Sequence, residues 1–193
     1  VLTVPVAAST PTTKDSEAGE YPIVLSGGEA ANYLITLANG TLTVGRQVPV
    51  ITWAAPEAIT YGTPLGQAQL GAKADVAGTF EYSPPIGTVL DFGEVTLRAT
   101  FTPGNLDGYS KVDKEVTLTV NKAPLTVTAV NASWLFGEES PEFELVYDGF
   151  VNDEDASVLT TPVSVFIPPV IGPGTYPIVL SGGEAANYEI TLV

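Results

Sequence analysis

The stretch YPIVLSGGEAANYLITL, Tyr21 to Leu37, recurs as YPIVLSGGEAANYEITL, Tyr176 to Leu192. Sixteen of the seventeen positions agree, and Leu34 against Glu189 is the one difference. The copies lie 155 residues apart. A repeat this faithful marks a tandem architecture, in which the copied unit is a building block of the fold and not a separately tuned site. Within it, Tyr21–Ser26 and Tyr33–Leu37 are predicted strands, and Gly27-Gly28, like Gly182-Gly183, is a predicted turn.

Upstream of each copy stands a second match, VLTVPV at Val1–Val6 and VLTTPV at Val158–Val163. Its offset is 157 residues, so the polar loop before Tyr21 is two residues longer in the first copy, a change that surface loops absorb cheaply. Downstream of the first copy, Asn39-Gly40 sits between LITLA and TLTV and predicts a type I′ hairpin, because both central residues of that turn need positive φ. Residues 1–45 therefore read as the C-terminal half of a β unit.

Residues 46–121 carry the clearest period-2 run of the chain. Val95, Leu97, Ala99 and Phe101 alternate with Thr96, Arg98, Thr100 and Thr102, the pattern of a strand with one buried face. Thr79–Ser83 alternates similarly and is ended by Pro84-Pro85, while Val116–Val120 closes the segment. About seven short strands are expected here, enough for a small two-sheet sandwich. Asn121-Lys122-Ala123-Pro124 then joins VTLTV directly to LTVTAV. So short a link, stiffened by proline, predicts a rod in preference to a flexible string. In residues 122–193, Glu142–Tyr147 is a predicted strand, followed by a turn at Asp148-Gly149, the acidic loop Asn152–Asp155, VLTTPVSVFI and the second copy.

The composition agrees with an all-β chain: Val, Thr, Ile and Tyr abound beside 19 Gly and 16 Pro. The net charge is −15, with only seven Lys and Arg, which disfavours nucleic acid and anionic membrane surfaces as partners. With no Cys and no His, the chain lacks disulfides, thiolate metal sites and the usual Ser-His-Asp and Cys-His triads. No signal peptide and no apolar run near the ~20 residues of a membrane span is present, and the sequence reads as an excerpt of a longer, processed protein.

Residues 122–193, with LTVTA, the Trp134-Leu135-Phe136-Gly137 turn, YDGF at Tyr147–Phe150, ASVLTTP and GTYPI…SGGEAANYEITLV, resemble the MBG ("mostly beta", YDG-type) repeat domains of large bacterial surface proteins. Residues 1–45 look like the second half of another. Residues 46–121, with ITWAAP, ITYGTPL, AGTFEYSP, TLRATFTP and VTLTVNKA, resemble the bacterial Ig-like repeats that alternate with MBG domains. The resemblance implies tandem small Ig-like β-sandwich domains in a rod, with a partial domain at the N-terminus, extracellular or on the bacterial cell surface. It also implies neighbouring repeat domains as partners and no catalysis.

Few residues suggest chemistry. Asp153-Glu154-Asp155, with Asp148 before them, form the densest acidic group, and a hard cation such as Ca²⁺ takes oxygen ligands of this kind. These four are the candidate metal residues, although their spacing departs from the EF-hand pattern and a solvated loop is the plainer reading. Paired carboxylates at glycosidase distance would need a cleft and one raised pKa. Trp53 and Trp134 suit either a core or a glycan-stacking platform. The paired glycines precede no helix and carry no Lys-Ser or Lys-Thr, so they are not a phosphate loop.

The sequence thus leads to a non-catalytic stalk or spacer of a secreted or surface bacterial protein, an adhesin by resemblance. A binding module for Ca²⁺, a glycan or a host protein is the alternative. The chain holds two C-terminal half-units and one N-terminal half-unit, so strand-swapped or head-to-tail self-association is expected, with TLTV as the donated strand.

Overall fold

The computed structural model describes Val1–Val193 and is all-β, with fourteen strands and one 3₁₀ turn, Ala156–Val158. Three strands fall in the first segment: β1 (Val4–Ser9), β2 (Gly19–Glu29) and β3 (Gly40–Val44), in the sheet order β1-β2-β3. The middle segment supplies six: β4 (Ile51–Thr52), β5 (Ile59–Thr60), β6 (Lys73–Ala74), β7 (Gly78–Ser83), β8 (Gly93–Pro103) and β9 (Val112–Asn121). Of these β4 pairs with β6, and the others form the sheet β5-β9-β8-β7. The last segment holds β10 (Ala123–Ala129), β11 (Leu145–Asp148), β12 (Leu159–Phe166), β13 (Val179–Ala185) and β14 (Tyr188–Leu192), as a sheet β11-β10-β14 and a hairpin β12-β13.

Two compact units emerge, one of residues 1–53, 72–81 and 99–114, the other of residues 54–71, 82–98 and 115–193. In the first, Trp53 is buried and Phe80 tilts against the buried Phe101 at 4.8 Å between ring centres. Gly78 is the close-approach position beside that pair, since a Cβ there would stand 2.4 Å from the Phe101 ring. The β1-β2-β3 sheet, by contrast, is thinly covered: all six residues of β1 are exposed, Val4 and Val6 among them, with Ile35 and Leu37 beside Gly28 of β2. An apolar face so thinly covered gains little from burial.

In the second unit, Leu65, Leu97, Leu118, Val120, Leu125 and Val127 are essentially inaccessible to solvent. Burying each such side chain contributes roughly 1.5–3 kcal/mol before conformational entropy is set against it. The alternation of Leu97, Ala99 and Phe101 along β8 is as the period-2 run requires, all three being buried. A single residue, Lys122, separates β9 from β10, so one ladder ends as the next begins.

The repeat folds alike in part and differently in part. Val6 faces Gly27 across β1 and β2, and Val163 faces Gly182 across β12 and β13, the same register in both copies. Two expectations fail here. Gly27-Gly28 and Gly182-Gly183 are not turns between strands but lie inside β2 and β13, at φ between +74° and +79°. Positive φ lets the backbone draw close to the neighbouring strand, where a Cβ on Gly27 would meet the Pro5 carbonyl oxygen at 2.3 Å and one on Gly182 the Pro162 oxygen at 2.7 Å. Asn39-Gly40 makes no type I′ hairpin either, since neither residue has positive φ. The Asn39 side chain instead accepts a hydrogen bond from the Leu25 amide at 3.0 Å, and β3 crosses to pair with the opening half of β2, Leu42 against Tyr21.

Replacing Gly182 by Ala should therefore cost about 1–3 kcal/mol of stability, through left-handed strain and the contact with Pro162. Urea unfolding measures it. An unchanged midpoint would restore the solvated turn that the sequence suggests.

Candidate functional site

Chemistry-bearing side chains converge in one place, around the first residue of β14. Tyr188 faces Ala123 across the parallel pairing of β14 with β10 and is 2% exposed. Tyr61, from the turn after β5, meets it edge to face at 5.6 Å, and Phe150 does the same at 5.4 Å. Tyr147 stacks on Phe150 in turn, at 5.7 Å. Such edge-on contacts set the positive rim of one ring against the negative face of another.

The polar tips of this aromatic group share one carboxylate. Tyr61 donates its hydroxyl hydrogen to Glu154 Oε1 at 2.7 Å, and Tyr188 donates to Glu154 Oε2. The Tyr188 oxygen also accepts from the Val151 amide at 3.1 Å, which holds the start of the acidic loop. Asn152 and Asp153 both take φ of +58°, a left-handed conformation that Asn and Asp tolerate better than most residues. Those two residues turn the chain so that Glu154 reaches the phenols.

Burial, then the hydrogen bond to Glu154, pushes the Tyr188 phenol up to about 12. Tyr61 is raised as well, first by its hydrogen bond to Glu154 and then by burial. Both causes favour the neutral phenol, because a phenolate here would lose water and face a carboxylate.

The four acids read from the sequence stand in separate roles. Asp148 ends β11, exposed, opposite Thr126. Asp153 is an exposed residue of the left-handed pair. Glu154 is the acceptor of both phenols. Asp155 caps the 3₁₀ turn by accepting from the Ser157 amide at 2.9 Å, and its hydrogen bonds with Ser157 hold its carboxyl below the ordinary value. No three acidic side chains of the chain gather into one candidate metal group.

Beside the aromatic cluster, the Ala185–Tyr188 corner of the repeat docks on the loop before β8. Asn187 accepts from the Phe92 amide and donates to Asp91, both at 2.9 Å. Lys122 donates to the Ala185 carbonyl at 3.1 Å while its ammonium stands 5.2 Å from the centre of the Phe92 ring. Sequence reasoning passed over Tyr61, Asp91, Phe92, Lys122, Asn187 and Tyr188. Only the repeat itself signalled the last two, and Tyr61 lies 93 positions from its partner Glu154.

The first copy shows what the same residues do without these neighbours. Tyr33 is 74% exposed and Leu34 99%, and Tyr33–Leu37 forms no strand. A concavity of about 980 Å³ is bordered by Trp134, Phe136, Phe143, Tyr176 and Ile178, and no acidic or basic side chain lines it. Trp134 meets Phe143 there edge to face at 6.4 Å, whereas Trp53 is buried in the core.

Two outcomes follow. Tyr188→Ala should destabilise by about 3–5 kcal/mol, as buried aromatic truncations do, and Tyr33→Ala should stay within about 0.5 kcal/mol, as exposed positions do. Chemical denaturation of the two variants compares them, and equal costs would contradict the different burial. In alkali, the neutral phenols contribute stability that is complete below pH ~10 and is lost as pH rises toward the Tyr188 value of about 12. Denaturation midpoints across that window should fall in the wild type and fall less in Tyr188→Phe. Identical pH profiles would exclude a role for this phenol.

Comparison with known families gives one result: the MBG domain family of YGX type matches residues 1–43 and 125–193. The sequence, led by YDGF at Tyr147–Phe150, resembled the YDG type, and YGX is the type matched. Comparisons with curated proteins and with solved structures find no match. The matched residues include both copies of the repeat and make up more than half of the chain, which therefore belongs to the MBG domain (YGX type) family.

Proposed function

We propose that this chain is a non-catalytic structural repeat region, a stalk or spacer, of a large secreted or cell-surface bacterial protein, with an adhesin as the natural parent. The observation that carries the reading is the fate of the repeated segment. In its second copy, Asn187 and Tyr188 direct their polar groups to Phe92, Asp91, Val151 and Glu154 of the same chain. A block whose polar groups serve its own packing can be copied whole along an array, and only its packing needs to be kept.

Family membership supports an extracellular or surface location, since MBG domains occur in bacterial surface proteins. No helix of the chain is long and apolar enough to cross a membrane. The proposed organisation has an MBG half-domain at residues 1–45, a bacterial Ig-like domain at 46–121 and an MBG domain at 122–193, with neighbouring repeats as partners. The Trp134 concavity has no acidic side chain in its lining and so offers no carboxylate pair of the kind glycosidase chemistry needs.

A binding module for Ca²⁺, a glycan or a host protein is the second reading, favoured by Trp134 at a concavity of the size ligands use. Thermal unfolding in Ca²⁺ and in chelator separates the cation version from a spacer. A spacer melts at the same temperature in both, whereas a ligand at ~100 times its dissociation constant adds roughly 2.7 kcal/mol. A rise of several degrees in Ca²⁺ would overturn the passive role, as would specific capture on a glycan array.

A further inference from the structure

Two stretches of the chain place serine or threonine two residues after an asparagine, Asn39-Gly40-Thr41 and Asn131-Ala132-Ser133, and none of the other five asparagines is followed in this way. With no proline between, this is the acceptor pattern for a sugar on the asparagine amide. An amide nitrogen is a poor nucleophile, because its lone pair is delocalised into the carbonyl. What the pattern adds is a hydroxyl that can fold back onto the carboxamide, as short polar side chains do in Asx and ST turns. Such a fold-back needs chain that is exposed and unpaired.

The fold separates the two stretches. The Asn39 side chain accepts from the Leu25 amide at 3.0 Å, and Gly40 and Thr41 are held in β3 opposite Ile23 and Pro22. Asn131, Ala132 and Ser133 are all exposed and lie in the irregular stretch between β10 and β11. Neither the Asn131 nor the Ser133 side chain is tied by a hydrogen bond to the rest of the chain. The stretch is anchored just before them, where the Val130 amide donates to the Glu144 carbonyl at 2.9 Å. The tripeptide is thus presented from a fixed point with its polar groups open.

We propose that Asn131 is an N-glycosylation site, modified by a transferase that draws on a glycosyl phosphate donor. Asn131 Nδ2 attacks the anomeric carbon of the donor. The nitrogen–carbon bond forms as the carbon–oxygen bond to phosphate breaks, the phosphate leaves with the electron pair, and one amide proton passes to a base of the transferase. Nothing is oxidised or reduced. The phosphate belongs either to a nucleotide, which delivers a single sugar, or to a lipid carrier, which delivers a preassembled oligosaccharide. This modification goes beyond the structural role proposed above and does not depend on it.

Trypsin together with a glutamate-specific protease, applied to the protein isolated from its native cells, releases Ala123–Glu138 and Ala30–Arg46, each holding one of the two stretches. Mass spectrometry should find a saccharide at Asn131 on the first peptide and none at Asn39 on the second. The mass of one sugar identifies the nucleotide donor, and that of a block added whole identifies the lipid donor. Ser133→Ala, at an exposed position, should abolish the addition, while Ser133→Thr should keep it. An unmodified Ala123–Glu138, sugar on Asn39 in its place, or a modification that persists in Asn131→Gln would overturn the site.

Discussion

Tyr188–Leu192 pairs along one side with β10, and this parallel pairing decides where the rest of the second unit stands. A strand has no stability of its own, since each amide and carbonyl needs a partner to offset the loss of water. Given β10, Tyr188 is carried into the interior beside Tyr61 and Phe150, and Glu154 is drawn over both phenols. Tyr33–Leu37, the same sequence but for Leu34, has no such acceptor within the chain and is no strand. Closely similar local propensity thus gives two outcomes, and tertiary context chooses between them.

What context does not change is the local packing around the glycines. A Cβ on Gly28 would meet Val6, Ile35 and Leu37, and one on Gly183 would meet Val163, Ile190 and Leu192. The copies therefore keep the same side-chain neighbours although only one completes its ladder. The path of the repeat is set within the repeat, and its hydrogen bonding is set by what lies beside it. A unit built so is suited to stacking, because each copy leaves its neighbour a surface of known chemistry.

Much of the fold was legible where the pattern was local. The β8 alternation and the direct passage from β9 to β10 both follow from period and breakers that lie within a few residues of one another. The middle segment has six strands where about seven were expected, a difference in how short pieces such as β4 and β5 pair. Gly27-Gly28 and Asn39-Gly40 misled because each dipeptide has two physical uses. Positive φ serves a turn or a close approach within a strand, and an Asn side chain serves a turn or a distant amide. The Glu154 cluster was illegible for a different reason: its phenol partners, Tyr61 and Tyr188, come from two distant stretches, and an acidic run looks the same whether it is solvated or bound to phenols.

Amide hydrogen exchange on the two copies measures this account most directly. Residues 35–37 and 190–192 have the same sequence and hence nearly the same intrinsic exchange chemistry, so any difference reports pairing alone. Slow exchange approaching the global unfolding limit is expected for β14 amides bonded to β10, and fast, near-unprotected exchange for their counterparts in the first copy. Equal protection in both copies, in a sample shown to be monomeric, would contradict the claim that β10 makes the difference.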